Sequence, residues 1–128
     1  MTPKFRAWDK ETQTMLDVSL IDFKKSVLIG EHWEFGETNF INFDEIELMQ
    51  STGLKDKNGK EIFEGDIVDY KGREAVVKWH GSYASFIYRF VDGLKERVSE
   101  QDPLFLACYN FEVIGNIYEN PELSEVGD

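Results

Sequence analysis

The stretch LMQSTGLKDKNGKEIFEGDIVDY, residues 48–70, carries the densest series of turn signals in this chain. Asn58-Gly59 predicts a β-hairpin with a type I′ turn, because that turn requires positive φ at both central residues. A second turn is expected around Asp66, since a turn aspartate commonly accepts hydrogen bonds from nearby amides. A third turn is expected at residues 70–73. Turns this closely spaced indicate short strands that fold back on one another, and not helices.

The composition is that of an acidic globular protein. The chain has 128 residues, 41% hydrophobic and 14% aromatic, which is enough for the core of one domain, with or without an extension. Its net charge is −11 and its pI is about 4.6. This charge repels phosphate backbones and anionic lipid, so nucleic-acid binding and membrane association are disfavoured. An acidic surface that meets a basic partner, or that imitates a nucleic acid, remains open.

The cysteine content and the N-terminus favour an intracellular protein without disulfides. Cys108 is the only cysteine and lies in the apolar run LFLACY, residues 104–109, where we expect it to pack as a small core residue. The first residues contain no apolar stretch typical of a signal peptide, and no apolar run approaches transmembrane length. The sequence therefore predicts a cytoplasmic protein.

Alternation of apolar and polar residues predicts strands through most of the chain. The expected strands are residues 4–8, 15–19, 20–23, 27–30, 44–50, 67–68, 74–79, 83–90, 94–98 and 111–118. Residues 24–26 fit either a turn or a short helix, and residues 31–37 either a loop or an edge strand. Between Asp66 and Tyr118 the pattern contains about five short strands with tight turns, which suggests a small β-barrel. Gly115 is expected to mark a bulge or a close approach.

These patterns predict a mainly β protein in three parts. Residues 1–47 would form a β-rich extension packed on the barrel, residues 48–120 the barrel itself, and residues 121–128 an acidic tail. Pro121 ends the last strand, because proline donates no hydrogen bond to a β ladder. The tail contains acids and no base, so we expect it to be exposed or frayed.

Three sequence blocks resemble the signature blocks of the YopX family. They are KFRAWDK of residues 4–10 with the following Met15, LMQSTGLKDKNGKEIFEGDIV of residues 48–68, and EVIGNIYENPEL of residues 112–123. The blocks follow in order across nearly the full chain. The resemblance implies an SH3-like β-barrel in the C-terminal part and an origin in phages or prophages of mainly Gram-positive bacteria, hence the cytoplasm of a bacterial host. It supplies no catalytic residues, because the molecular function of the family is not established.

No residue pattern matches a catalytic, cofactor or metal site. A calcium loop around Asp56 would need oxygen ligands at positions that hold leucine and glycine. His80 and Cys108 could form a nucleophile pair, or a metal site with His32, but zinc spacing is absent, and a turn histidine and a buried cysteine are the preferred interpretation. The glutamates within residues 31–37 fit a solvated acidic face. We therefore expect no enzymatic activity, no metal and no cofactor.

Aromatic and basic side chains are the candidates for partner binding. Small barrels often bind through aromatics on one face, and we expect Trp33 and Tyr83 to be exposed anchors, with Trp79 and Phe86 in the core. Basic residues gather at the turns and could form a patch that contacts phosphate or nucleic acid. Ordinary charged turn tips are the preferred interpretation of that pattern. These basic candidates are Lys55, Lys57, Lys60, Lys71 and Arg73.

The sequence as a whole favours a phage-encoded, non-enzymatic module that binds an unidentified host or phage protein. Two alternatives remain open: an acidic mimic that inhibits a nucleic-acid-binding protein, and a weak nucleic-acid binder that uses the Lys/Arg turn tips. An enzyme is the least favoured class. Self-association into a homo-oligomer is a further expectation, because the acid-and-aromatic segment of residues 31–43 could add to a neighbour's sheet.

Overall fold

The computed structural model describes residues 4–33, 36–37, 40–82, 84–91, 104 and 108–124. Within these residues the chain is mainly β, with two antiparallel sheets and little helix. The strands are β1 (Phe5–Asp9), β2 (Thr14–Asp22), β3 (Val27–His32), β4 (Gly36–Glu37), β5 (Ile41–Asn42), β6 (Ile46–Lys55), β7 (Glu61–Phe63), β8 (Asp66–Tyr70), β9 (Arg73–His80), β10 (Ser85–Phe90) and β11 (Phe111–Asn116). The helical segments are 3₁₀ turns at Phe43–Glu45 and Cys108–Asn110, and helix α1 at Pro121–Ser124. No helix in this described part is long and apolar enough to cross a membrane.

The chain divides into two compact units, residues 1–51 and residues 52–128. The division falls inside β6, so this strand begins in the first unit and ends in the second. In the first unit the strand order is β4-β3-β2-β1-β6, and β5 also pairs with β3. Apolar residues alternate with polar ones along these strands, so the apolar side chains lie on one face of the sheet and form a common core. The buried members of that core are Ala7, Leu16, Leu28 and Ile46.

The two strands expected at residues 15–19 and 20–23 form a single strand, β2, which contains a bulge. The pairing of β2 with β3 shifts register between Val18 and Leu20. The intervening Ser19 donates its hydroxyl hydrogen to a β3 carbonyl oxygen at 3.0 Å. Beyond the bulge Ile21 packs against the core, whereas Leu20 is 48% exposed. Regular alternation would have placed Leu20 on the core side, so the bulge brings an apolar side chain to the surface.

The second unit contains a four-stranded sheet in the order β10-β9-β8-β11, and β7 lies next to β6. One face of this sheet supplies an aromatic core, in which the rings of Tyr88 and Phe111 meet edge to face with centroids 4.9 Å apart. Cys108 is buried in this core, as its apolar surroundings predicted. The pairings among the described residues form an open sheet and not a closed barrel. The other buried core residues are Ile62, Val68, Ala75, Val77 and Leu104.

The turn between β6 and β7 is present where Asn58-Gly59 predicted it, but the type I′ geometry expected there is wrong. Gly59 has positive φ (+83°), whereas Asn58 does not. The Asp56 amide donates to the Lys60 carbonyl oxygen at 2.8 Å, and the Gly59 amide donates back to the Asp56 carbonyl oxygen at 3.0 Å. The hairpin therefore has a three-residue loop that ends in a left-handed glycine, the commonest alternative to a two-residue turn.

The type I′ hairpin lies instead between β8 and β9. Lys71 and Gly72 both have positive φ, 54° and 89°, and they connect Tyr70 directly to its pairing partner Arg73. Glycine adopts this conformation without steric cost, while Lys71 is one of the few non-glycine residues that adopt it here. The tightest turn of the second unit is thus the third of the expected turns and not the first.

Several local expectations differ from the structure. Residues 44–45 belong to a 3₁₀ turn, and β6 begins only at Ile46. Residues 23–26 form a turn, which is one of the two alternatives expected for residues 24–26. Pro121 begins α1, where its missing N–H costs no helical hydrogen bond, so the start of the expected tail is helical. The strand and loop expected within residues 94–103, and the end of the tail, lie outside the described residues.

The last strand, β11, contains the bulge that Gly115 predicted. The pairing of β11 with β8 shifts register between Val113 and Gly115. A Cβ atom at Gly115 would lie 2.8 Å from the side-chain Cγ of Asn120 and would also overlap its Oδ1. That Oδ1 atom accepts the amide of Asn116 at 3.2 Å. Glycine at this bulge is therefore favoured by the close approach of the Asn120 side chain.

The substitution Gly115→Ala should destabilise the second unit, because the new methyl group overlaps the Asn120 amide. We expect the free energy of unfolding, measured by urea denaturation, to fall by about 1–3 kcal/mol. Gly81→Ala is the matched control, since a Cβ atom there meets nothing within 4 Å. An equal loss of stability in both variants would contradict this account of the Gly115 contact.

Candidate functional site

Asp56 connects the turn after β6 to the last strand of the second unit. Its Oδ1 atom accepts the backbone amides of Asn58 at 2.9 Å and Lys60 at 2.8 Å. Its Oδ2 atom accepts the amide of Val113, which is 57 residues away in the chain, at 2.9 Å. Asp56 is only 6% exposed, so these hydrogen bonds are shielded from water. One carboxylate therefore fixes both the shape of a hairpin loop and the position of β11.

The hydrogen bonds keep the Asp56 carboxylate ionised. Burial raises the pKa of Asp56, but the amides of Val113, Lys60 and Asn58, together with the Lys60 charge, outweigh burial and hold the pKa below its ordinary value of 3.8. A general acid or base needs a pKa near the working pH and a free lone pair. The pKa of Asp56 lies well below neutral pH, and three backbone amides hold its oxygens in place, which fits a structural role.

Asp66 is a second buried carboxylate with a structural role, as the turn pattern predicted. It is 1% exposed, and its Oδ2 atom accepts the Phe63 amide at 2.8 Å. This hydrogen bond spans the tight turn between β7 and β8, where Gly65 has a φ of +88°. The side chain thus satisfies a backbone donor that the turn removes from the sheet.

The first unit contains a buried aspartate–histidine pair that the sequence did not reveal. The Oδ2 atom of Asp9 lies 2.9 Å from Nε2 of His32, and neither residue is more than 9% exposed. The Oδ1 atom of Asp9 accepts the amides of Glu11 at 2.9 Å and Thr12 at 3.3 Å. Burial raises the pKa of Asp9, but the hydrogen bonds from His32, Thr12 and Glu11 outweigh it and lower that pKa below 3.8.

The Asp9–His32 pair bears on the metal interpretation of His32. The described partner of its Nε2 atom is an aspartate from β1, and the neighbouring Glu31 is exposed. Among the residues that the structure describes, no group of three or more His, Cys, Asp and Glu side chains could hold a metal ion. Asp9 begins a DKET turn, and this was the only signal in the sequence that pointed to it; His32 lies 23 residues away and carried none.

The exposed tryptophans of the described chain lie one in each unit. Trp33 is 53% exposed, and its indole N–H donates to Oδ1 of Asp17 at 3.2 Å. Trp79 is 48% exposed, so the expectation that it belongs to the core is wrong. It follows the core residues of β9 near the end of that strand, where its ring meets Phe86 edge to face with centroids 5.1 Å apart. Phe86 is half-buried and packs against the core, and Tyr83 lies outside the described residues.

All five basic candidates are exposed. The loop of residues 56–60 and the turn at residues 71–72 lie at the same end of the second unit, because the Lys57 amide donates to the Phe111 carbonyl oxygen and Phe111 pairs with Tyr70. The topology therefore brings the two groups of basic side chains to one end of the sheet. These side chains are Lys55, Lys57 and Lys60 from the first group, and Lys71 and Arg73 from the second.

Two of the basic side chains lie over aromatic rings. The Arg73 guanidinium carbon is 3.6 Å from the centre of the Phe90 ring, and the Lys71 Nζ atom is 5.3 Å from that of Tyr70. The Tyr70 and Phe90 rings are themselves stacked, with centroids 6.2 Å apart. Cation–π contacts of this kind hold the cations against the protein and cover the edge of the aromatic core.

The fold and the site define a mainly β protein of two compact units, in which buried carboxylates organise turns. Residues 4–125 match the family model described as YopX protein, and the chain belongs to this family, as the three sequence blocks predicted. Among solved structures, the crystal structure of protein EF1440 from Enterococcus faecalis is similar, with 32% sequence identity and a TM-score of 0.66. The match covers 98% of this chain and 99% of that one. A search of curated proteins found no match.

Replacement of Asp56 should be far more damaging than replacement of an aspartate at an exposed turn. Asp56→Ala leaves three backbone amides without their acceptor, and we expect it to cost about 3 kcal/mol of unfolding free energy. Asp69→Ala is the matched control, because Asp69 accepts a single exposed amide, that of Gly72 at 3.0 Å, and should cost about 1 kcal/mol or less. Urea denaturation of both variants measures the difference, and similar losses would argue against the proposed role of Asp56.

Acid should unfold the protein in part through Asp9 and Asp56. The pKa of each carboxyl is below its ordinary value of 3.8 in the folded protein, so each contributes stability above about pH 4 that is lost as the pH falls through the folded-state pKa. The variant Asp9→Asn/Asp56→Asn should therefore be less stable than the wild type at neutral pH and approach it in acid. Denaturation curves across this pH range test the point; a stability difference that does not change with pH would contradict it.

Proposed function

We propose that this protein is a non-enzymatic interaction module, encoded by a phage or prophage, that binds a protein partner in the cytoplasm of the host. The observation that carries the proposal is the aromatic surface formed by Trp79 and Phe86 on the second unit. Trp79 is about half exposed although its neighbour Phe86 packs against the core, so a large apolar surface is held rigidly at the edge of a packed sheet. Tryptophan in such a position is typical of residues that dominate binding energy.

The sheet geometry supports the same surface. Trp79 pairs with Phe86, and Val77 pairs with Tyr88, on neighbouring positions of β9 and β10. Both pairs point to the side of the sheet that carries the aromatic core. The Trp79–Phe86 pair is therefore an outward continuation of that core. The two rings already contact one another. Their side chains would therefore lose little conformational entropy when a partner packs on them.

The proposal includes an SH3-like organisation of the second unit. Its support is the set of short antiparallel strands β10, β9, β8 and β11, which form one sheet and share one aromatic core. Small barrels of this kind commonly bind partners through aromatic side chains at one edge of the sheet. The surface at Trp79 and Phe86 fits that mode of binding.

The use of the buried acids supports a role without catalysis. Asp9, Asp56 and Asp66 each accept backbone amides in or beside turns, which supports a structural role for these carboxylates. A basic partner surface is favoured by the net charge of −11, which also disfavours a nucleic acid. Lys71 and Arg73, the cations nearest the aromatic core, lie over its rings and are less suited to contact phosphate.

The two exposed tryptophans allow a controlled test. Tagged wild-type protein, Trp79→Ala and Trp33→Ala would each be used for affinity capture from a lysate of the infected host, followed by titration calorimetry with the purified partner. Because the two side chains are similarly exposed, truncation of either should leave the fold intact. We expect the wild type and Trp33→Ala to bind the same protein and Trp79→Ala to bind it about tenfold or more weakly.

Three results would overturn the proposal. Failure of the wild type to retain any protein would remove the interaction itself. Equal binding by Trp79→Ala would show that Trp79 does not form the contact. Loss of binding in Trp33→Ala alone would place the contact on the first unit. Circular dichroism of each variant separates these results from unfolding.

A further inference from the structure

We propose that the protein self-associates by docking the turn of residues 23–26 from one copy into a cleft beside Ile114 on a second copy. This contact uses neither Trp79 nor Phe86, so it goes beyond the proposed function and can fail independently of it. The inference rests on two surfaces, one in each unit of the chain, that each combine an exposed apolar side chain with charges of opposite sign.

The first surface, the 23–26 turn, consists of Phe23, Lys24, Lys25 and Ser26. Phe23 is 70% exposed, the largest exposure among the large aliphatic and aromatic side chains described in the first unit. Both lysines beside it are also exposed. The turn therefore presents an apolar ring next to two positive charges in a chain whose net charge is −11. An aromatic side chain that remains this exposed on a folded unit points to a binding surface.

The 23–26 turn is rigid before any contact forms. The Oδ1 atom of Asp22 accepts the amides of Lys24 and Lys25, each at 3.0 Å. The Phe43 amide donates to the carbonyl oxygen of Ser26 at 2.9 Å. The Phe23 ring meets the Phe43 ring edge to face, with centroids 6.1 Å apart. A turn fixed in this way pays little entropy on binding.

The second surface, the Ile114 cleft, is an open depression of about 660 Å³ in the second unit. Its apolar floor contains Ile114, which is 38% exposed, and the half-buried Leu123. Ile114 lies at the register shift of β11, where the bulge turns it away from the regular pairing with β8. Bulges often redirect a side chain beside a functional surface. The cleft therefore offers an apolar contact for an aromatic ring such as that of Phe23.

Charge identifies the turn of a second copy as the occupant. The cleft is lined by three carboxylates, those of Asp69, Glu74 and Glu122, against one guanidinium, that of Arg73. The guanidinium lies over the Phe90 ring, and one Asp69 oxygen accepts the Gly72 amide. The cleft is thus net negative with an apolar side chain among its acids, whereas the 23–26 turn projects two exposed lysines beside an apolar tip. Asp22 at the base of the turn is engaged with the amides of Lys24 and Lys25, and Asp44 lies beside Lys25. Two acidic copies repel one another in general, and this pairing is where the repulsion is reversed.

The two surfaces are different, so the contact is heterologous. Each copy has one turn and one cleft, and a contact of this kind generates a closed ring or an open chain of copies. This geometry gives a test that needs no other ligand. Light scattering coupled to size exclusion should show a mass that rises with protein concentration at roughly 150 mM salt, where the general repulsion between two acidic copies is largely screened.

Single-surface variants locate the contact. Phe23→Ser removes the tip of the turn, and we expect it to raise the self-association Kd about tenfold or more. Phe40→Ser is the matched control, since Phe40 is 64% exposed in the same unit and outside the turn. Lys24→Glu/Lys25→Glu reverses the charge of the turn with both side chains in solvent, so it should abolish association without affecting the fold.

Mixed copies separate a heterologous contact from a symmetric one. Glu122→Lys alters only the cleft, and by itself it should associate poorly. An equimolar mixture of Glu122→Lys with Phe23→Ser contains one intact turn and one intact cleft, and it should form a 1:1 dimer that does not grow. A wild type that stays monomeric up to about millimolar concentration, or association unchanged in these variants, would overturn the proposal.

Discussion

The second unit depends on one carboxylate that three backbone amides share. Asp56 accepts two amides of its own loop and one from β11, so the last strand is held by a residue that belongs to the β6–β7 turn. The Lys57 amide adds a backbone hydrogen bond to the start of β11. An outer strand edge would otherwise present unpaired donors and acceptors. The turn-rich stretch of residues 48–70 therefore has a structural role. Within it, Asp56 makes the hydrogen bonds on which the position of β11 depends.

Local signals in the sequence predicted local structure well. Alternation located most strands, Asn58-Gly59 marked a hairpin, and Gly115 marked both a bulge and a close approach. The turn type was missed, because Asn-Gly also fits a three-residue loop and only the pairing of Asp56 with Lys60 decides between them. Side-chain contacts between distant residues left no local pattern, and for this reason the Asp9–His32 pair was not foreseen. The exposure of Trp79 depends on where the core ends, which alternation does not encode.

Irregularities in two strands bring apolar side chains to the surface. Each of the two bulges, at Ser19 in β2 and at Ile114 in β11, breaks the alternation that would have continued along its strand. As a result, Leu20 and Ile114 are exposed although both side chains are apolar. A bulge costs pairing energy, so side chains that it turns outward are candidates for contacts with other molecules. Periodicity alone cannot find such residues, because the exposed position has the same residue type as a core position.

The boundary between the two units, inside β6, bears on how a gene of this kind can change. A crossover between Ser51 and Thr52 would join parts of two parent genes inside one strand, so each half of β6 would have to fit the sheet neighbours of the other. Thr52 makes the point for one side: its hydroxyl donates to the Ile62 carbonyl oxygen at 2.7 Å and accepts the Leu54 amide at 3.1 Å. Unlike proteins whose parts are joined by a loop, this one has no junction in a linker at which its halves could be exchanged. We therefore expect recombination to transfer the coding regions of the two units together.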